Sequence, residues 1–406
     1  MAEAYLIDVA RLASGKGKPG GALSGTHPAV LLSHVLKALT ERTGVDPGRV
    51  EDVITGCVQQ VGEQSMNIGR TALLGAGFPE TVPAVTINRQ CGSSQQAVDF
   101  AAQAVMSGFA DVVIACGVES MSRVPMGAST LGLDSSDGAA LNGPEVAARY
   151  PSPEHGLVNQ GVSAELVAQR WKLERDELDA FSAESHRRAA AATAAGFFDG
   201  EVVPIDVTLP DGTTLTHTVD ETVRASTTAE GLAGLRASFR TDELAARFTD
   251  LTWNITPGNS SPLTDGASAA LIVSERVLTE LGLTPRARFV GFAVTGDDPV
   301  LMLTAPIPAT QKVLTRTGLS LEDLDAYEVN EAFAPVPLAW ARELGADPAK
   351  LNPHGGAIAL GHALGSSGTR LLGTLLATLE HTGGRYGLQT MCEAAGMANA
   401  TIIERL

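Results

Sequence analysis

Residues 91–120 read CGSSQQAVDFAAQAVMSGFADVVIACGVES, and residues 362–396 read HALGSSGTRLLGTLLATLEHTGGRYGLQTMCEAAG. Each passes from a Gly-Ser-Ser turn through an apolar-faced helix into a strand with a cysteine near its end. The chain therefore holds two similar α/β units, in which Cys91 and His362 occupy comparable places. Around them, strand-like apolar runs (EDVITGCV, PAVTI, ADVVIACGV, ASAALIVS, ARFVGFAV) alternate with helix-like stretches (PAVLLSHVLKALTERTG, PATQKVLTRTGLS), the pattern of an α/β protein. At 406 residues the chain is too long for one ordinary core and fits two or three domains. The alternation breaks once. Residues 124–162 are turn-rich, the segments SAELVAQRWKL and ERDELDAFSAESHRRAAAATAAG that follow are helical, and the sheet-like pattern resumes near LTWNITPGNSS. We read residues 123–247 as an insertion packed on the core, covering a substrate or reaching between subunits.

Basic residues number 29 and acidic residues 46, a formal net charge of −17. Such a surface argues against a nucleic-acid partner. It is compatible with a small anionic ligand, because a local arginine outweighs screened distant charge. The start, MAEAYLIDVARLASG, has no basic segment, and Asp8 and Arg11 interrupt its apolar run, so it does not read as a signal peptide. No run approaches the roughly 18 apolar residues of a membrane span. A cytoplasmic protein with reduced thiols is expected. Cys57, Cys91, Cys116 and Cys392 form no CxxC pair, which gives a redox pair or a zinc site little support, and no metal is expected. ARLASGKG nearly matches a phosphate-binding loop, but Gly17 stands where Ser or Thr must follow Lys16.

Cys91 lies where a strand-like run gives way to small residues and a helix. A helix N-terminus carries partial positive charge and free N–H groups, which favours a thiolate and lowers its pKa below about 8.5. The small residues after it let a substrate approach those N–H groups as an oxyanion hole. Cys57 and Cys116, inside strand-like runs, read as buried apolar residues. A thiol nucleophile needs a base. His362, in NPHGGAIALGHALGSSGT, is framed by glycines that let a ligand or another backbone pass close by. His354, in the same segment, reads as a turn histidine. His27, His34, His155, His186, His217 and His381 fall on loops or helix faces. In VNEAFAPV, Asn330 either caps the following helix or holds a water. Cys392 falls on a turn before the last strand.

Taken together, NRQCGSS, GVESMSR, NEAFA, GGAIALGH and the late Cys392, in this order across nearly the whole chain, resemble the thiolase family. The resemblance implies a thiolase fold: two similar βαβαβαββ halves in αβαβα layers, with a loop domain inserted in the first. The halves would be residues 1–122 plus 248–275 and residues 276–406, with 123–247 as the insert. It implies an acyltransferase that reversibly cleaves 3-ketoacyl-CoA to acyl-CoA and acetyl-CoA, or forms acetoacetyl-CoA, through a Cys91 thioester with ping-pong kinetics. Fatty acid degradation by β-oxidation is one setting. In such a mechanism His362 takes the Cys91 proton and Cys392 moves the proton at the acetyl α-carbon. Asn330 holds a water that, with His362, binds the enolate oxygen. The backbone N–H groups of Cys91 and Ala394 form a second oxyanion hole. Ser261 would contact the pantetheine arm of coenzyme A and Arg224 its adenylate. CoA and acyl-CoA are substrates, no cofactor is bound covalently, and the family forms dimers or tetramers.

The chain departs from the family pattern at Ala363 (usually proline), at Ala394 and Ala395 (usually glycines), at Pro262, and at Asn159–Gln160, where many acetoacetyl-specific members have His-Met. The alanines keep an alternative open, a non-catalytic thiolase-like subunit that binds acyl-CoA or scaffolds a partner. Cys392 argues against a decarboxylating condensing enzyme, and Asn330 against the sterol-carrier type.

Overall fold

Three long strands, β1 (Ala4–Arg11), β5 (Val112–Ser120) and β8 (Thr264–Ser274), are buried from end to end, as strands covered on both faces must be. The computed structural model describes residues 2–133, 141–150, 157–209 and 212–406; His155 and parts of the turn-rich stretch lie outside them. The other strands are β2 (Gly15–Lys16), β3 (Asp52–Gly56), β4 (Ala84–Ile87), β6 (Ile205–Thr208), β7 (Thr214–His217), β9 (Ala287–Gly296), β10 (Ala326–Val329), β11 (Tyr386–Glu393) and β12 (Met397–Arg405). Ten of them join in the order β4-β3-β5-β8-β1-β9-β12-β11-β10, with β2 on β8, and β6 pairs with β7 alone.

The repeat seen in the sequence is a repeat of pairing. In the first half β3 runs parallel to β5, β5 antiparallel to β8, and β8 antiparallel to β1. In the second, β10 runs parallel to β11, β11 antiparallel to β12, and β12 antiparallel to β9. The halves meet where β1 pairs with β9, through Tyr5–Arg288 and Leu6–Ala287.

Side-chain alternation sets the layers. On β5, Val112, Ile114, Cys116 and Val118 pack with the outer helices Pro28–Thr43 and Ile68–Gly75. Val113 and Ala115 face the other way, onto the helix Ser93–Met106. That inner cluster also takes in Leu372, Leu375, Leu376 and Leu379 of the helix Ser367–Thr382, and Phe289, Ala326 and Ile403 of the second half. Beyond it, the helices Pro306–Thr317 and Pro335–Leu344 cover the outer face of the second half. The order is thus helix, sheet, helix pair, sheet, helix. In β1 the register shifts between Leu6 and Asp8, so Ala4 and Leu6 face the inner cluster but so does Val9, while Ala10 and Leu12 face out.

The two inner helices start buried, and their starts touch. Thr369 N donates to Ser94 Oγ at 3.1 Å. A Cβ on Gly368 would lie 2.0 Å from Gln95 N, and one on Gly56 2.4 Å from Ser94 N. The insert is tied to the same core by Arg11, buried on β1, which bonds Glu201 at 2.7 Å and Asp220 at 2.8 Å.

Because the neighbour at Gly368 is backbone, Gly368→Ala should destabilise the protein by about 1–3 kcal/mol despite the better helix propensity of alanine. The midpoint and slope of urea unfolding measure this; an unchanged midpoint would show that the helix starts have room to part.

Candidate active site

Cys91 sits at the end of a fastened turn. Gln90 N donates to Asn88 Oδ1 at 2.7 Å; Ser93 Oγ accepts from Arg89 N at 2.9 Å and donates to Gln90 O at 2.6 Å. The turn delivers Cys91, buried, against Val58, Met121 and Leu364. The helix start alone argues for an acidic thiol, and burial reverses it. Desolvation and the neighbouring Glu393 push the Cys91 thiol up to about 12, against hydrogen bonds from the Gln160 side chain and from Cys91's own N–H. The resting group is a thiol, so its proton must leave as it reacts.

His362 follows Gly361, whose φ of +86° and 2.7 Å approach to Thr264 Oγ1 leave no place for a side chain. His362 N donates to Thr264 Oγ1 at 2.9 Å. Its Nδ1 lies 2.6 Å from Ser367 Oγ, whose own hydroxyl donates to Ala363 O at 2.8 Å. Nδ1 therefore carries the proton, and the Nε2 lone pair faces Asn330 Nδ2 at 3.3 Å. Burial and the Arg370 charge push the imidazole down to about 3, so His362 is neutral. Leu364, two residues on, packs on Cys91, and Thr264 N donates to Met121 Sδ at 3.3 Å, so base and nucleophile share one wall.

Asn330 caps no helix, since the next one starts at Pro335. Its N donates to Thr390 O at 3.0 Å, and its buried Oδ1 has no partner among the described residues. The adjacent Glu331 accepts from Ser185 Oγ, Asn352 Nδ2 and Ile358 N, binding the insert to the loop before His362.

Cys392 lies on β11, paired with Ala398 of β12, rather than on the turn expected; the turn is residues 394–396, after Glu393. It is buried among Ala164, Val167, Phe333 and Ile358, and burial with the adjacent Cys91 pushes its thiol up. The structure thus sets the two sulfurs near each other, under a helix of the insert (Gln160–Arg170). In the turn, Ala395 has φ +67°, a left-handed conformation that costs an L side chain about 1–2 kcal/mol; Ala394 does not share it.

Of the expected CoA contacts, Ser261 N donates to Ala332 O at 3.0 Å, which zips its loop to the segment carrying Asn330. Arg224 is exposed on the insert, its N–H on His186 Nδ1 at 3.1 Å, and none of its described contacts is with Cys91, His362, Asn330 or Cys392. Two residues escaped the sequence reading: Ser367, which fixes His362, and Glu119; Gln160, noted there only as a departure from the family pattern, bonds Cys91. The buried Glu119 carboxylate accepts from Val58 N, Gln59 N, Gln64 Nε2 and Gly365 N, at 2.8–3.0 Å, and so binds both halves beside the site. GVES and the Ser five residues after His362 were their only signals.

Two family models match this chain: Thiolase, N-terminal domain, over residues 4–276, and Thiolase, C-terminal domain, over residues 283–405. Steroid 3-ketoacyl-CoA thiolase FadA6 of Mycobacterium tuberculosis is 47% identical over 100% of this chain and 95% of its own. A 3-ketoacyl-CoA thiolase of Vibrio vulnificus is 42% identical over 100% of both. The Bacillus anthracis acetyl-CoA acetyltransferase has a TM-score of 0.87 at 36% identity, and human mitochondrial 3-ketoacyl-CoA thiolase 0.86 at 35%, each match covering 100% of this chain and 99% of the other.

Glu393, beside Cys392, is buried with neither carboxyl oxygen partnered among the described residues, and burial lifts it from 4.5 to about 9. The folded state thus keeps a proton that the unfolded chain gives up above pH 4.5, and stability is lost as pH rises from 4.5 towards 9. Glu393→Gln removes that loss. Its melting temperature should exceed that of the parent at pH 8, with the gap shrinking by pH 5; a gap independent of pH would mean that Glu393 is ionised in the fold.

Proposed function

The chain belongs to the thiolase family, and we propose that Cys91, His362, Asn330 and Cys392 are the groups through which it works. It is an acyltransferase that cleaves 3-ketoacyl-CoA by thiolysis, giving acyl-CoA and acetyl-CoA. CoA and acyl-CoA are its substrates, and the chemistry needs no resident cofactor. The observation that carries the assignment of roles is a neutral His362, its Nε2 lone pair held in place, in a pocket with two neighbouring cysteine sulfurs.

Cys91 Sγ attacks the 3-keto carbon while its proton passes to His362 Nε2, a transfer that the high resting pKa of the thiol makes obligatory. The backbone N–H groups of Cys91 and Ala394 hold the oxyanion. Its collapse breaks the bond between C2 and C3 and leaves the electron pair on the acetyl-CoA enolate. The enolate oxygen lies against protonated His362 and the Asn330 side, and Cys392 gives its proton to the carbon. The acyl group stays on Cys91 as a thioester. In the second half-reaction the CoA thiol loses its proton to the Cys392 thiolate and attacks the acyl carbon; Cys91 leaves and recovers its proton from His362.

Ser261 contacts the pantetheine arm and Arg224 the adenylate, with the insert over the site. The direction is degradative, as in β-oxidation, because C–C cleavage is downhill. Four free thiols suit the cytoplasm. Strand β4 ends the sheet with its outer edge unpaired among the described residues and Val85 exposed, a template for a second copy. We assign a homodimer through this edge, or a homotetramer of two such pairs.

Brief incubation with acetyl-CoA and with a 3-ketoacyl-CoA series, short, long and steroid-like, followed by peptide mass spectrometry, tests the chemistry. An acyl adduct should form on Cys91 and be absent from Cys91→Ala. Cys392→Ala should acylate but fail in C–C cleavage, and His362→Asn should acylate about 10²–10⁴-fold more slowly. Equal loss of acylation in the two cysteine variants would overturn the roles. For the assembly, sedimentation equilibrium should give at least a dimer, weakened by Val85→Lys; a monomeric parent protein would exclude the β4 interface.

A further inference from the structure

Resting on the reading of His362 as the base, we propose that Arg370 is a positioning residue for His362, acting through one internal water and Ser367. Next to Gly361 and Ala363, which flank His362, and to Ser367, which bonds its Nδ1, lies a small cavity with room for about one water molecule. Arg11, Ser14, Gly361, Ala363, Ser367 and Arg370 line it. Arg370 is 5% exposed, yet none of its three guanidinium nitrogens has a hydrogen-bond partner among the described residues. Arg11, which also lines it, has each guanidinium nitrogen bonded, to Glu201, Asp220 or Leu12 O. A buried guanidinium with no acceptors is costly, so Arg370 directs unused donors at the cavity.

The donor and acceptor inventory selects the occupant. The Ser14 hydroxyl donates to Leu360 O at 2.6 Å and that of Ser367 to Ala363 O at 2.8 Å, so both oxygens present lone pairs. A water accepts from Arg370 and donates to those oxygens. A chloride-sized anion would meet the same lone pairs, with the carboxylates Glu201, Asp220 and Glu328 close by. Water fits and an anion does not.

With the water in place, Ser367 Oγ accepts from the water and from His362 Nδ1–H, and its proton is committed to Ala363 O. The only tautomer left to His362 carries hydrogen on Nδ1 and leaves Nε2 free to take the Cys91 proton. The guanidinium charge at the far end of the chain also disfavours the imidazolium. The other ionisable groups packed around this corner are Arg11 on β1, Glu201 and Asp220 of the insert, Glu328 and Glu331 at the end of β10, Glu119 on β5, and the thiols Cys91 and Cys392. Arg370 is the one whose charge is felt at His362.

Nitrogen-15 spectra of histidine-labelled full-length protein test this. The parent protein should show His362 as a single Nδ1–H tautomer at neutral pH. In Arg370→Met the Nε2–H form should appear and the titration midpoint of His362 rise by about one pH unit, with Arg370→Lys restoring both. A folded Arg370→Met with an unchanged tautomer and midpoint overturns the proposal, because a merely structural arginine would move neither. If the Met variant does not fold, an Nε2–H tautomer in the parent protein overturns it alone. A bromide peak in the cavity of soaked crystals would do so too, by making the occupant an anion. Failure of the underlying reading looks different: His362→Asn would acylate at the parental rate.

Discussion

Two helix starts meet backbone to backbone in the middle of this protein, and the rest of the structure is arranged around that contact. Gly368 lies on Gln95, and Ser94 takes the N–H of Thr369. Both helix starts are buried, so neither can shift without breaking contacts in both halves of the sheet at once. The turn that ends one start carries Cys91, and the segment that enters the other carries His362. Their relative placement is a property of the core rather than of surface loops, which suits a proton transfer that depends on tenths of an ångström.

The two halves repeat a pairing pattern but differ at the site. Glu119 and Glu393 are each the eighth residue of the strand that follows an inner helix. Glu119 has four donors around its carboxylate and fastens the halves together. Glu393 lies against Gly92, where a Cβ would be 2.0 Å from Oε1, beside the unpartnered Oδ1 of Asn399. One copy of a duplicated position became a clamp; the other stayed uncharged next to the chemistry, where a carboxylate would oppose every thiolate the reaction forms.

Much of this was legible beforehand. The strand-like and helix-like runs are strands and helices, because period and turn residues are local properties. Cys91 and His362 stood out through the Gly-Ser-Ser echo, since the same local event precedes both inner helices. What sequence concealed depends on burial or on contacts between distant segments. The helix start predicted an acidic Cys91, but the depth of its burial is a property of the assembled fold. Of the two roles the sequence allows Asn330, a helix cap or a water holder, the cap fails because the helix begins five residues later. Ser367 and Arg370 are ordinary polar residues in the sequence, and Gln160 is only a departure from the family pattern; they acquire roles when the insert, β1 and the last long helix close on one point.

The buried state of Cys91 also governs its durability. Peroxides and alkylating agents attack the thiolate, and a sulfur whose proton is held to about 12 presents almost none at neutral pH. A reactive thiolate therefore arises chiefly as His362 takes the proton during attack on a bound acyl group, and at that moment the sulfur is already committed to carbon. Burial thus slows oxidation of the idle nucleophile, without a disulfide to shield it.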